Sequence, residues 1–137
     1  MIAVTGATGQ LGRLVIAALL KKVPANQIIA AVRSPEKAKD LTDLGVQVRQ
    51  ADYSKPETLD SAFKGAEKLL LISSSEVGQR EAQHNAVIAA AKRAGVKLLA
   101  YTSLLHADKS PLGLGVEHRA TEKALSESGI PFVLLRN

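Results

Sequence analysis

The 137-residue chain reads as an α/β domain built on a doubly wound parallel sheet. Three observations predict this. Six apolar runs of strand length recur along the chain. Segments with helical spacing and helical stop signals lie between them. The runs stand roughly 20 to 35 residues apart, the spacing of βα units rather than of hairpins.

The first run, IAVT (Ile2 to Thr5), leads through three glycines into a helix starting near Gln10, on which Leu11, Leu14, Val15, Ala18 and Leu19 share one face. The second, QIIAAVR (Gln27 to Arg33), precedes SPEKAKDLTDLG, with Ser34 placed as N-cap, Pro35 at the first helical position and Gly45 as stop. After the third, VQVRQA (Val46 to Ala51), comes SKPETLDSAFKG, where Ser54 and Glu57 form a capping-box pattern and Gly65 ends the helix. The fourth, KLLLIS (Lys68 to Ser73), leads to the longest helix, from about Gly78 to Ala94, with Val87, Ile88, Ala91 and Ala94 inward and Gly95 as stop. The fifth, KLLAYTS (Lys97 to Ser103), precedes a helix around Val116 to Ser128 that stops at Gly129, and PFVLLRN (Pro131 to Asn137) is the sixth. Several runs are almost continuously apolar, as in strands buried on both faces of a parallel sheet. Strict alternation with right-handed crossovers predicts six strands in the order 3-2-1-4-5-6 with helices on both faces, in three layers. No linker, internal repeat or low-complexity segment interrupts residues 1–137, which read as one domain.

Composition narrows the function. Apolar residues make up 46% of the chain, and no window is long and apolar enough to span a membrane. The first residues form a strand pattern rather than a secretory signal, so the expected compartment is the cytoplasm. Cysteine is absent, which removes disulfide and thiolate chemistry. His84, His106 and His118 lack metal-ligand spacing, and no metal is expected. The net charge of +5 comes from cations scattered among acids, and the aromatics number only four. That pattern lacks the basic stripe and stacking platforms of a nucleic-acid binder and suits a phosphorylated small molecule.

Gly6, Gly9 and Gly12 supply the sharpest signal. Between a strand and a helix, the first glycine permits a tight turn, the second admits a pyrophosphate to the backbone, and the third lets helix and strand pack closely. Thr8, Gln10 and Leu11 fill the turn and the first helical positions, where unpaired amides and the positive dipole end face an anion. The spacing is Gly-x-x-Gly-x-x-Gly, and by itself it also suits a sharp turn without ligand. Its place after the first strand of a βα chain favours a dinucleotide. A P-loop is excluded because no Gly-Lys-Ser/Thr follows.

The end of the second strand carries Arg33 where an NAD site usually has an acid, which points to the 2′-phosphate of NADP(H). Arg13 and Lys37 can add charge nearby. Asp52, ending the third strand, can turn its carboxylate and neighbouring amide toward the adenine edge. Ser73, Ser74 and Ser75 end the fourth strand, at the crevice where the strand order reverses.

On these residues, and on the stretches AVRSPEKA, VRQADYSKPETL, KLLLISSSEVGQR, AAKRAGVK, YTSLLHADKSPLGL and EHRATEKAL, the whole chain resembles the N-terminal half of an atypical short-chain dehydrogenase/reductase of the NmrA-like group. It is most similar to the bacterial quinone-reducing members. The resemblance implies a Rossmann domain for NADP(H), with Gly6, Gly9 and Gly12 at the pyrophosphate and Arg33 at the 2′-phosphate. It places Ser73 to Ser75, Thr102 and Ser103 toward the nicotinamide, implies a quinone as substrate, and allows a homo-oligomer. Members are about twice this length, so their C-terminal substrate lobe lies beyond the 137 residues. The group also includes cofactor-binding regulators, which makes a non-catalytic NADP(H) sensor the second reading.

One departure bears on chemistry. The Tyr-x-x-x-Lys pair of common short-chain dehydrogenases is missing: Glu57 and Leu105 stand four residues beyond Tyr53 and Tyr101, and Leu114 and His118 stand where the pair belongs. Ketone reduction needs that strong acid, whereas hydride addition to a quinone yields a stabilised anion that a modest donor can protonate. The candidate donors are His118 and Asn137, followed by Thr102, Ser103 and His106. His84 reads as structural.

Overall fold

The computed structural model of the chain describes residues 1–72, 80–103 and 113–136. Eleven elements alternate along it: β1 (Ile2–Thr5), α1 (Gln10–Leu20), β2 (Ile28–Val32), α2 (Lys39–Asp43), β3 (Gln47–Gln50), α3 (Pro56–Ala62), β4 (Lys68–Leu71), α4 (Arg80–Ala94), β5 (Leu98–Ser103), α5 (Gly113–Ser128) and β6 (Phe132–Arg136). The six strands form one sheet in the order β3-β2-β1-β4-β5-β6, parallel throughout, as predicted. The order reverses between β1 and β4, the topological switch point of the sheet.

Alternation along the strands builds a core on each face. Ile28, Ala30 and Val32 of β2 pack with Val4, Ile16, Ala38 and Leu41, beneath α1 and α2. Ile29 and Ala31 point the other way, joining Leu59, Phe63, Val87, Ala91, Tyr101 and Leu125 beneath α3, α4 and α5. All five residues of β2 are buried, which explains its unbroken apolar run. The stop glycines Gly45, Gly65, Gly95 and Gly129 all take positive φ, between 76° and 91°.

Three local expectations are corrected. On α1 the buried residues are Gly12 and Ile16, whereas Leu11 and Leu14 are 41% and 68% exposed and Ala18 is exposed too. The helix is apolar nearly all round, so periodicity does not choose a face. Contact of Gly12 with the preceding turn does. Ser34 makes no side-chain cap: the N–H groups of Lys37 and Ala38 bond back three residues to Ser34 and Pro35, forming a 3₁₀ turn, and α2 starts only at Lys39. The capping box is also absent. Ser54 turns back to Asp52, a nearer and charged acceptor, and α3 begins at Pro56 with Lys55 before it. Ala94 is half-buried, and Gly78 lies outside the described residues.

Candidate dinucleotide site

Thr5 closes the carboxyl end of the β1–β4 seam. Its buried hydroxyl accepts from the Ile72 N–H at 3.0 Å and lies 3.4 Å from the Leu70 carbonyl oxygen. The chain then turns through Gly6 at φ +60°, a conformation that side chains disfavour. The Gly9 N–H bonds the Gly6 carbonyl at 3.1 Å and closes the turn.

Gly9 is the N-cap of α1, extended at φ −74° and ψ 172°, and it offers no side-chain cap. The helical ladder begins with Arg13 N–H to Gly9 carbonyl at 3.0 Å, so the amides of Gln10, Leu11 and Gly12 have no acceptor within the helix. Gly6, Gly9 and Gln10 are exposed. Gly12 serves the third role assigned to it. A β-carbon there would lie 2.3 Å from the Gly6 carbonyl oxygen and 2.7 Å from the Ala7 Cα. At Gly9 it would meet the Gly6 oxygen at 3.3 Å, tight but open on its other sides. Bare backbone, free amides and a dipole end therefore meet at the carboxyl edge, and they fit a pyrophosphate.

Around the loop the candidates divide. Arg33 is exposed, one residue past β2. Asp52 stands two residues past β3, and an Ala51 N–H to Val32 carbonyl bond of 2.7 Å carries the β2–β3 pairing out to them. The Asp52 N–H donates to the Thr58 hydroxyl at 2.8 Å. Asp52 Oδ1 accepts from both the N–H and the hydroxyl of Ser54, at 2.9 and 2.7 Å. Those two bonds hold the Asp52 carboxyl below its ordinary value against desolvation, with lesser help from the charges of Arg33 and Lys55.

Arg13 does not add unmatched charge. Its Nε donates to the Thr8 carbonyl at 3.0 Å and its Nη1 pairs with Asp40 Oδ2, so it braces the glycine turn against α2. Lys37 is exposed in the 3₁₀ turn after Arg33. Thr102 is buried on β5, one residue beyond the Leu71–Tyr101 pair, at the same carboxyl edge. Ser73, Ser74, Ser75, His106 and Asn137 lie outside the described residues, as do the side chains of Ser103 and His118, whose backbones sit in β5 and α5.

His84 belongs to a buried polar cluster whose members the sequence did not join. Its Nδ1 lies 2.9 Å from the Thr121 hydroxyl and 3.4 Å from that of Tyr101, and all three residues are fully buried. The imidazole meets the Tyr101 ring edge-on, centroids 5.3 Å apart. The available signal was its spacing from Val87, Ile88 and Ala91, which puts His84 on the inward face of α4. Among the described residues no cluster of three or more metal-binding side chains forms, and no helix is long and apolar enough to cross a membrane.

The sheet order, with its reversal between β1 and β4, and the uncapped glycine turn define a dinucleotide-binding Rossmann domain. The chain belongs to the NAD(P)H-binding family, whose profile matches residues 6–137. It is 66% identical to quinone oxidoreductase 2 of Escherichia coli (strain K12) over 137 residues, 100% of this chain and 48% of that protein. Among solved structures, the NADPH-dependent quinone oxidoreductase of Escherichia coli complexed with NADPH superposes with a TM-score of 0.97 at 66% identity, covering 100% of this chain and 48% of the other. The Citrobacter sp. triphenylmethane reductase complexed with NADP(H) also gives 0.97, at 53% identity, covering 100% and 49%. The chain thus spans about half the length of these relatives, within the NmrA-like group.

Proposed function

We propose that residues 1–137 form the cofactor-binding half of an NADPH-dependent quinone reductase acting in the cytoplasm. The observation that carries this is the uncapped start of α1, where the Gln10, Leu11 and Gly12 amides have no acceptor within the helix, together with an exposed Arg33 one residue past β2. Gly6, Thr8, Gly9, Gln10, Leu11 and Gly12 would hold the pyrophosphate. Arg33 would pair with the 2′-phosphate, Asp52 would border the adenosine, and Ser73 to Ser75 with Thr102 would flank the nicotinamide. When bound, reduced nicotinamide supplies the hydride that a quinone accepts.

The protein's part is to orient the two rings and to furnish a proton to the anion produced. His118 on α5 and Asn137 beyond β6 are the candidate donors. Because a quinone-derived anion is weakly basic, a hydrogen bond from either side chain would suffice while water delivers the proton. Calorimetric titration with NADPH and NADH tests the cofactor half of the proposal, and tighter binding of NADPH is expected. Loss of NADPH absorbance with a simple benzoquinone tests the chemistry. Tight binding without turnover would favour a sensor, and no binding of either dinucleotide would reject the reading.

A further inference from the structure

The sequence scatters its cations, and the topology gathers them. In a parallel sheet every strand starts at one edge and every crossover helix returns to it, so helix ends and strand starts share the amino edge, opposite the glycine turn. Lys21 and Lys22 follow α1, Lys64 follows α3, and Lys92 and Arg93 lie in the last turn of α4. Lys68 opens β4 and Lys97 precedes β5, with Ile2, Lys68 and Leu98 in register across β1, β4 and β5. All of these cations are exposed. The acids at this edge are Asp43, Glu67 and Glu127, while Asp60 of α3 pairs with Arg93 at 2.9 Å. Cations still outnumber acids, so the edge is net positive.

Helix dipoles favour cations at helix ends. They do not account for Lys68 and Lys97, which stand at strand starts, nor for Leu44 at the end of α2, which is 56% exposed. Leu44 belongs to the same surface, because a β-carbon added at Gly45 would come within 3.3 Å of Ala25, just past Lys22.

We propose that this amino edge docks on an anionic lipid surface, its lysines meeting headgroup phosphates while Leu44 enters the interface. Lysine predominates over arginine here, which suits diffuse attraction to many headgroups rather than bidentate recognition of one group. No exposed aromatic stands among the cations, so the edge lacks the stacking platform that a nucleic acid would use. Such docking is peripheral and needs no spanning helix. Strands of four to six residues separate the two edges by roughly 13–20 Å, so the glycine turn and Arg33 stay turned to solution.

Co-sedimentation with phosphatidylcholine vesicles, with and without phosphatidylglycerol, tests this. Binding should require the anionic lipid and fade as salt rises. Lys21→Glu with Lys22→Glu, or Lys92→Glu with Lys97→Glu, should lower partitioning by roughly tenfold or more. Leu44→Ser should lower it by a smaller factor that persists at high salt. All five positions are exposed, so these variants should melt with the unsubstituted protein. Saturating NADPH should leave vesicle binding unchanged. Loss of binding with NADPH would overturn the proposal by assigning the attraction to the glycine turn and Arg33. No preference for anionic vesicles, or capture of heparin by a protein that ignores those vesicles, would overturn it as well.

Discussion

The carbonyl oxygen of Gly6 occupies the space a side chain on residue 12 would need, 2.3 Å from where its β-carbon would stand. The first and third glycines are thus one contact, and it fixes how α1 meets the turn. Gly12→Ala should cost about 1–3 kcal/mol or more, because backbone must move to admit the methyl group. It should also abolish dinucleotide binding. Gly9→Ala meets only a 3.3 Å contact, so it should cost less stability than Gly12→Ala while binding falls, since the methyl group narrows the backbone cradle. Thermal unfolding beside calorimetry separates the two, and equal behaviour would show that the glycines share one role.

Arg33→Ala should weaken NADPH much more than NADH. A charge-assisted pair with a phosphate is worth about 1.5–3 kcal/mol, or roughly ten- to a hundredfold in affinity. Parallel titrations read the difference directly. Equal losses would mean that Arg33 does not meet the 2′-phosphate.

Arg13 holds the Thr8 carbonyl while Asp40 holds Arg13, so the glycine turn is braced from α2. The ion pair is partly exposed, and breaking it with Asp40→Asn should cost less than about 1 kcal/mol of stability. Its effect should appear in binding, as a loss of similar size for NADPH and NADH. A selective loss of NADPH would instead show Arg13 reading the 2′-phosphate.

The Asp52 carboxyl sits below its ordinary value of 3.8, chiefly through Ser54. A depressed carboxyl adds stability above 3.8, and that contribution is lost as pH falls through the lowered value. Ser54→Ala should raise the Asp52 titration toward 3.8 and remove that part of the acid sensitivity. A carboxyl-resolved NMR titration checks the shift. An unmoved midpoint would assign the depression to Arg33 and Lys55.

What the sequence disclosed and what it hid divide by range. The stop glycines and the glycine turn follow from local patterns, because each depends on backbone preferences within a few residues, and strand order follows from the alternation of elements with right-handed crossovers. The buried face of α1 was hidden because QLGRLVIAALL is apolar on most sides, and only the non-local packing of Gly12 on Gly6 selects one. Ser54 followed by Glu57 reads as a capping box until Asp52, two residues earlier, competes for the same serine. Arg13 and Asp40 lie 27 residues apart, and His84 and Thr121 lie 37 apart. No periodicity joins such pairs before the sheet assembles.

The last of those pairs joins α4 to α5. Two hydroxyls approach the same imidazole nitrogen, Thr121 at 2.9 Å and Tyr101 at 3.4 Å, in a region without exposure to water. The shorter contact should carry more of the satisfaction of that nitrogen. Thr121→Val keeps the volume and removes the hydroxyl, and it should cost about 1–3 kcal/mol, the penalty for depriving a buried polar group of a partner. Tyr101→Phe leaves the ring packed against His84 and removes only the longer contact, so it should cost less than about 1 kcal/mol. Denaturant unfolding of both single variants and of the double ranks them. If Tyr101→Phe proves the costlier, the tyrosine rather than the threonine holds His84, and β5 rather than α5 is the element that α4 is fastened to.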